Sequence, residues 1–220
     1  MHGRITAVFL LSLSLLASAA ASADEYPYLA ADQSIDIELQ EGMPLRLLIP
    51  SGDIDVIGVK GNELHAELTI RCETDSGKCA ERAAATGFET TERDGRVVVG
   101  LKDISFFKSG SMEIDMKIEV PRETSVELLM GAGDLDVKDV SGCLRVDMDA
   151  GDLDVEAPAD TVRSVAIDVG MGDAGLTVGK KSYEASRPFL VGAEVEWDEG
   201  EGECELRADL QFGDATVTLY

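Results

Sequence analysis

A phrase built around Gly-Asp occurs five times in this chain, and it constrains the fold more than any other feature. Each copy contains three alternating apolar residues, a short gap, the Gly-Asp pair and two more alternating apolar residues. The copies span residues 45–56, 126–137, 144–155, 165–176 and 206–217, and their glycines are Gly52, Gly133, Gly151, Gly172 and Gly213. The intervals between these glycines are 81, 18, 21 and 41 residues. All four lie close to one, two or four units of about 20 residues, and a fixed period of that size is typical of stacked supersecondary units.

The Gly-Asp pair marks a corner between two short strands. Counting from the glycine, positions −7, −5 and −3 are apolar in every copy, and so are +2 and +4. Positions −3 and +2 are five residues apart, an odd number, and in a straight strand they would point to opposite faces. Both sets can therefore point inward only if the chain turns between them. Glycine adopts the backbone dihedrals that such a corner needs, and aspartate can accept hydrogen bonds from the local backbone. The five glycines are therefore predicted to be structural turns.

The repeat predicts an all-β fold in which the copies stack as a single-stranded, β-helix-like β-solenoid. Each coil would contain about 20 residues, and each strand would pair with its counterpart in the next coil. An antiparallel sandwich is the alternative, because Asp94-Gly95 between two extended runs is a strong hairpin signal. An Ala-rich run at residues 76–87 predicts one short helix beside that hairpin, near the N-terminal end.

The first 23 residues have the pattern of a cleaved, Sec-type signal peptide. Arg4 precedes an apolar stretch at residues 5–16, and Ala-Ser-Ala at 21–23 forms a small-residue cleavage site. Residues 24–33 are predicted to be an N-terminal lead or linker, and 34–220 one domain. The mature chain contains no predicted transmembrane segment. We therefore expect an exported protein of the periplasm, the cell envelope or the extracellular space.

The charge of the chain excludes some partners. The formal net charge is −24, from 19 basic and 43 acidic residues. Nucleic acids and anionic lipids are bound by neutralising phosphates with Lys and Arg, so neither is expected as a partner. The acidity is consistent with solubility, with a saline habitat or with binding of divalent cations.

The four cysteines suggest disulfides, because the count is even and the chain has an export signal. Cys72 and Cys79 flank a short loop that a bridge could close. Cys143 and Cys204 have opposite strand parities and lie about three coils apart if the coils stack in chain order. These two features argue against a second bridge, and its existence stays open.

Residues 112–155 carry a resemblance to a known family. MEIDMKIEVP is an alternating strand that ends in proline, and GAGDLDVKDVSGCLRVDMDAGDLDV repeats the Gly-Asp phrase. This run resembles the bacterial "putative adhesin" domains of unknown function, over roughly residues 34–220. The resemblance implies a solenoid-like all-β fold and an exported or envelope-associated protein. It implies no catalytic residues.

Aspartates at equivalent repeat positions are the best candidates for binding chemistry. Residues in adjacent paired strands lie about 4.8 Å apart, so equivalent carboxylates would form rows. Calcium takes six to eight oxygen ligands and would offset the repulsion within such rows. The candidate calcium ligands are Asp134, Asp136, Asp152, Asp154 and Asp173. The alternative is that these residues only form turns, since the phrase matches neither an EF-hand loop nor the nonapeptide of calcium-binding β-rolls.

The sequence points to no catalytic residue and to no organic cofactor. His65 is the only histidine of the mature chain, and no nucleophile pattern accompanies it. Phe106 and Phe107 lie in a polar stretch, where they would either cap the core or contact a partner. We expect a non-enzymatic interaction or scaffold module at the cell envelope, binding a protein, a glycan or further copies of itself. A calcium-stabilised binding protein and a periplasmic accessory or signalling protein are the alternatives.

Overall fold

The computed structural model describes residues 28–74, 77–102, 112–187 and 191–220. These residues form one α-helix, α1 (Gly77–Ala85), and a 3₁₀ turn at Ala159–Thr161. The remaining elements are the strands β1 (Tyr28–Glu38), β2 (Leu45–Ser51), β3 (Asp53–Val59), β4 (Glu63–Cys72), β5 (Gly87–Arg93), β6 (Arg96–Lys102), β7 (Met112–Pro121), β8 (Val126–Ala132), β9 (Leu135–Lys138), β10 (Leu144–Ala150), β11 (Leu153–Ala157), β12 (Val162–Met171), β13 (Ala174–Val178), β14 (Lys181–Tyr183), β15 (Ala193–Trp197), β16 (Cys204–Phe212) and β17 (Ala215–Leu219).

The strands form two mixed sheets. The nine-stranded sheet has the order β1-β4-β7-β3-β9-β11-β17-β13-β14, and the eight-stranded sheet has the order β15-β12-β16-β10-β8-β2-β6-β5. The first strand of each repeat copy lies in the eight-stranded sheet and the second in the nine-stranded sheet. Strands of the copies pair in parallel, whereas β1, β4, β5, β14 and β15 pair antiparallel with their neighbours.

The prediction of a single-stranded β-solenoid is wrong. A solenoid stacks its coils in chain order, but here the fifth copy lies between the third and the fourth, and antiparallel strands complete both sheets. All five copies present the same apolar face and the same hydrogen-bonding register. The period therefore does not encode which copies become neighbours. The alternative of an antiparallel sandwich is also incorrect, because the central strands are parallel.

The core lies between the two sheets and is built from the repeat positions that were apolar in the sequence. Inward-facing side chains alternate with outward-facing ones along each strand, as the period of two requires. Of the 25 apolar positions in the five copies, all are buried except Ala174, which is partly buried. Trp197 at the end of β15 and Ala83 of α1 extend this core at its ends.

The five Gly-Asp glycines stack into one column at the corner between the sheets. Their φ angles lie between 125° and 145°, a region that L-residues rarely adopt. A Cβ atom on Gly133, Gly151, Gly213 or Gly172 would overlap the carbonyl oxygen of the preceding glycine in the column. Glycine is required there both by the dihedral angle and by the close approach of the neighbouring backbone.

Both pairs of cysteines form disulfides. One joins Cys72 of β4 to Cys79 of α1, and the other joins Cys143 to Cys204. The expected separation of about three coils between Cys143 and Cys204 is wrong. Because β16 pairs directly with β10, the Cα atoms of these two cysteines are only 4.6 Å apart.

Other local predictions have mixed outcomes. The helix expected at 76–87 is present as α1, and the Asp94-Gly95 hairpin joins β5 to β6 with positive φ at both residues. The lead predicted at 24–33 is not a linker from residue 28 onward, because β1 begins there and pairs with β4. Its polar residues are tolerated because β1 is an edge strand. The signal peptide at 1–23 and the Phe106-Phe107 pair lie outside the described residues.

Among the described residues, no helix is both long enough and apolar enough to span a membrane.

Candidate functional site

An open groove of about 1280 Å³ runs across the outer face of the eight-stranded sheet. Its floor contains Leu48 and Leu129, together with small residues such as Gly100 and Gly131. Leu48 is 39% exposed, although its neighbours on β2 at both sides are buried. An outward leucine at this position is a result of strand alternation, which points every second side chain of β2 away from the core.

A single register row crosses all eight strands of this sheet, and all of its residues except Glu194 line the groove. It consists, in order from β5 to β15, of Glu89, Gly100, Leu48, Leu129, Asp147, Asp209, Asp168 and Glu194. Five of the eight, on β2, β8, β10, β16 and β12, occupy position −4 of the repeat copies. After Glu89 on the edge strand β5, the row is small or apolar over β6, β2 and β8, and it is acidic over β10, β16, β12 and β15. We call the first part the apolar half and the second part the acidic half.

Two arginines partly neutralise the acidic half. Arg145 donates to Asp147 at 3.1 Å, and Arg207 donates to Asp209 at 2.8 Å and 2.9 Å. The carboxylate of Asp209 raises the pKa of Arg207 through these hydrogen bonds. Within the described residues, no Lys or Arg nitrogen lies within ion-pair distance of Asp168 or Glu194. Arg207 acts on Asp168 at longer range, so the negative charge at the β12–β15 end of the acidic half is only partly compensated.

Exposed apolar side chains flank the acidic half on its corner side. Met171 and Phe212 are register partners on β12 and β16, and they are 50% and 53% exposed. Both line the groove, and Val191 adjoins them because its carbonyl accepts a hydrogen bond from Gly172. Contiguous exposed apolar groups of this kind commonly mark interaction surfaces.

An aspartate directly follows each glycine of the column, where the chain enters the nine-stranded sheet. In the order of the strands in that sheet, these residues are Asp53, Asp134, Asp152, Asp214 and Asp173. The N–H of Asp214 donates to the carboxylate of Asp152, and the N–H of Asp173 donates to that of Asp214. Burial, together with the charges of Asp134 and Asp115, raises the pKa of Asp53. These carboxylates thus bind the backbone of the neighbouring corner.

A second acidic row lies on the outer face of the nine-stranded sheet. Asp55, Asp136 and Asp154 are register partners in β3, β9 and β11. Partial burial and the nearby charges of Asp136 and Glu156 raise the pKa of Asp154. Lys138 contacts Asp136 at 3.4 Å, and this carboxylate raises the pKa of Lys138.

The five predicted calcium ligands are only partly brought together. Asp136 and Asp154 are register partners in β9 and β11, and Asp134 and Asp152 directly precede these strands. Asp214, however, separates Asp173 from Asp152. Asp173 instead forms an ion pair with Arg187.

A different group of carboxylates has the closest spacing in the part of the chain that the structure describes. One oxygen from each of Asp53, Glu113 and Asp115 lies within 4.8 Å of the others. Arg71 approaches the same group, contacting Asp115 closely and Glu113 at 3.8 Å. Sequence reasoning did not identify this group, because Glu113 and Asp115 lie in β7, outside the repeat copies.

His65 lies on the outer face of β4 and bridges two strands. Its Nδ1 is 2.6 Å from Oδ1 of Asp36 on β1, and its Nε2 is 3.4 Å from Oε1 of Glu67. Hydrogen bonds to these two carboxylates raise the pKa of His65. The contacts are those of an ion pair between strands.

The groove was missed by sequence reasoning, although a signal for it was present. Positions −4 are outward-facing, and they are aspartate in three copies but Leu48 and Leu129 in the other two. Outward leucines side by side on paired strands indicate an apolar surface. Their adjacency became visible only from the register of β2 with β8.

One comparison with a known protein supports the fold. A crystal structure described as a putative cell adhesion protein from Clostridium sporogenes has a TM-score of 0.51 at 10% identity, over 86% of this chain and 100% of that protein. A putative adhesin from Parabacteroides merdae has a TM-score of 0.27 at 9% identity, over 86% and 96%. A putative lipid binding protein from Parabacteroides distasonis has a TM-score of 0.27 at 9% identity, over 85% and 94%. The similarity to the Clostridium sporogenes protein concerns the fold alone. No protein-family model and no curated protein sequence matches the chain.

Proposed function

We propose that the chain is an exported, non-enzymatic, adhesin-like module that binds a protein or glycan partner at the cell envelope. The observation that carries this proposal is the groove across the eight-stranded sheet, which presents exposed apolar side chains beside acidic ones. A broad open groove of mixed chemistry suits contact with an extended partner. The Clostridium sporogenes protein of similar fold is described as a putative cell adhesion protein, which is in keeping with such a role.

The disulfides support the location in this proposal. Disulfides persist in oxidising compartments and are rare in the cytosol. Neither bridge has the Cys-x-x-Cys spacing of a redox motif, since the paired cysteines are 7 and 61 residues apart. They act as structural cross-links of a protein exposed to the cell exterior or to the periplasm.

The test is attachment of the cells that export this chain. Deletion of the gene is expected to reduce attachment of the cells to their surface or partner cells, and expression of the full chain is expected to restore it. Unchanged attachment in the deletion strain would contradict the adhesin-like role. Reproducible turnover of a small substrate by the purified protein would contradict the non-enzymatic part.

A calcium-stabilised binding protein is the second candidate. The observation that favours it is the close approach of the carboxylates of Asp53, Glu113 and Asp115, in addition to the row of Asp134, Asp136, Asp152 and Asp154. Calorimetric titration with Ca²⁺, with Mg²⁺ at matched ionic strength as control, tests it. Saturable heat selective for Ca²⁺ is expected, whereas equal melting in Ca²⁺ and in EDTA at low and high salt would argue against it.

A further inference from the structure

The groove combines two chemistries in a fixed order across the sheet. Leu48 and Leu129 form the centre of the apolar half, and Asp147, Asp209 and Asp168 follow directly in the acidic half. Four of the five carboxylates in the row lie in the acidic half, and the fifth, Glu89, lies at the opposite end on the edge strand β5. This uneven distribution of charge gives the groove a direction.

We infer that the groove binds an extended protein segment that has apolar residues in one half and Lys or Arg in the other. This inference rests on the proposed function and names the partner class for that surface. Charge complementarity supports it, because within the described part of the chain no Lys or Arg nitrogen lies within ion-pair distance of Asp168 or Glu194, and Arg207 acts on Asp168 only at longer range. Cations of the partner would form those ion pairs, and its apolar residues would cover Leu48 and Leu129.

The dimensions of the row set the length of the segment. Eight strands spaced about 4.8 Å apart span about 34 Å, and an extended chain advances about 3.3 Å per residue. About ten residues therefore cover the row. The acidic half alone spans about 14 Å over four strands, which is enough for two or three basic side chains on one side of an extended segment.

The apolar flank of the acidic half adds to the affinity. Met171 and Phe212 expose about half of their surface beside Asp149 and Asp168, and they line the same groove. The aliphatic stems of Lys and Arg pack on such apolar surface while the charged ends reach carboxylates. A basic segment satisfies both features at once, whereas an acidic segment would be repelled and a neutral glycan would leave Asp168 and Glu194 unpaired.

The probe is a synthetic ten-residue peptide with Leu and Ser in its first half and Lys and Ser in its second half. A scrambled peptide of the same composition controls for non-specific attraction to an acidic protein. Fluorescence anisotropy with the full mature protein is expected to show saturable binding of the ordered peptide. Binding of the scrambled peptide is expected to be at least tenfold weaker at the same ionic strength.

Two groove variants and two matched controls localise the binding. Leu48→Ser and Asp168→Asn remove one apolar and one acidic group from the row, and each is expected to weaken binding about tenfold. Leu29→Ser removes an exposed leucine of β1, and Asp55→Asn removes one charge from the outer face of the other sheet. Both controls are expected to bind within twofold of the wild type. Thermal melting of all four variants checks that each is folded.

Three results would overturn the inference. These are the absence of saturable binding to wild-type protein, equal binding of the ordered and scrambled peptides, and equal weakening by Asp168→Asn and Asp55→Asn. Dimerisation that Leu48→Ser abolishes would assign the groove to a second copy of the chain instead. The cell attachment experiment is separate, so the failure of the proposed function and the failure of this inference are distinguishable.

Discussion

The phenol of Tyr220 donates a hydrogen bond to Oδ1 of Asp139, and the two oxygens are 2.5 Å apart. Asp139 follows β9 and has a positive φ of 59°, whereas Tyr220 follows β17. The backbone N–H of Tyr220 donates to the carbonyl of Ala157, the last residue of β11, and the carbonyl of Tyr220 accepts from the N–H of Ala159. These contacts join three neighbouring strands of the nine-stranded sheet at their carboxyl ends.

The titration of Tyr220 should reveal this contact. The hydrogen bond to Asp139, followed by burial, raises the pKa of Tyr220 to about 12. Its folded pKa lies above its unfolded value, so the contact stabilises the fold fully below pH 10 and is lost as pH rises toward 12. In the ultraviolet titration of phenolate, we expect one late step in the wild type that is absent in Tyr220→Phe. A late step that persists in this variant would contradict the assignment.

Substitution of a column glycine should be costly for two reasons that a matched pair of variants can separate. In Gly151→Ala, the new Cβ would overlap the carbonyl of Gly133, and φ is 129°. In Gly61→Ala, φ is 132°, but the Cβ would meet open space. We expect Gly61→Ala to lose about 1–2 kcal/mol from backbone strain alone, and Gly151→Ala to lose at least about 2 kcal/mol more.

Urea denaturation of both glycine variants measures these free energies of unfolding. Gly175→Ala serves as the control for both, because its φ is not positive and its Cβ would also meet open space. Equal losses in Gly151→Ala and Gly61→Ala would show that strain accounts for the whole effect. The close packing of the glycine column would then have no energetic role.

The sequence predicted the local structure of the chain better than its topology. The alternating positions identified the buried residues of the repeat copies, and Asp94-Gly95 identified a hairpin, because period and turn chemistry are local properties. The neighbours of each copy could not be predicted, since β10 presents equivalent edges to β8 and β16. The same uncertainty hid the second disulfide and the row that joins Leu129 to Asp147. Both depend on which strands become adjacent.

The ion pairs of His65 should make stability depend on pH. Asp36 and Glu67 raise the pKa of His65, and Glu119 on β7 is its register partner. Because the folded pKa exceeds 6.5, this stabilisation is fully present below pH 6.5 and is lost as pH rises through the folded value. We expect His65→Gln to unfold at lower urea than wild type at pH 5.5 and at the same urea at pH 8.5. A difference between the two proteins that does not change with pH would contradict the ion-pair assignment, and Asp36→Asn should reproduce the variant's behaviour.

The two disulfides should stabilise the fold by different amounts, because they close loops of different length. Their cysteines are 7 and 61 residues apart in sequence. In the chain-entropy model, the short loop contributes about 2.4 kcal/mol and the long loop about 4.3 kcal/mol. The direct comparison of cysteine variants is complicated by burial, because Cys72 and Cys79 are almost fully buried and their truncation also leaves a cavity.

Reduction of single-bridge variants removes that complication. Cys143→Ala with Cys204→Ala keeps only the short loop, and Cys72→Ala with Cys79→Ala keeps only the long one. Each variant is compared with itself in oxidised and reduced form by urea denaturation, so the cavity cancels. We expect reduction to cost about 2 kcal/mol more in the variant that keeps the long loop. Equal costs would indicate that the unfolded chain already holds β10 and β16 close together, since a disulfide gains little where its loop is already closed.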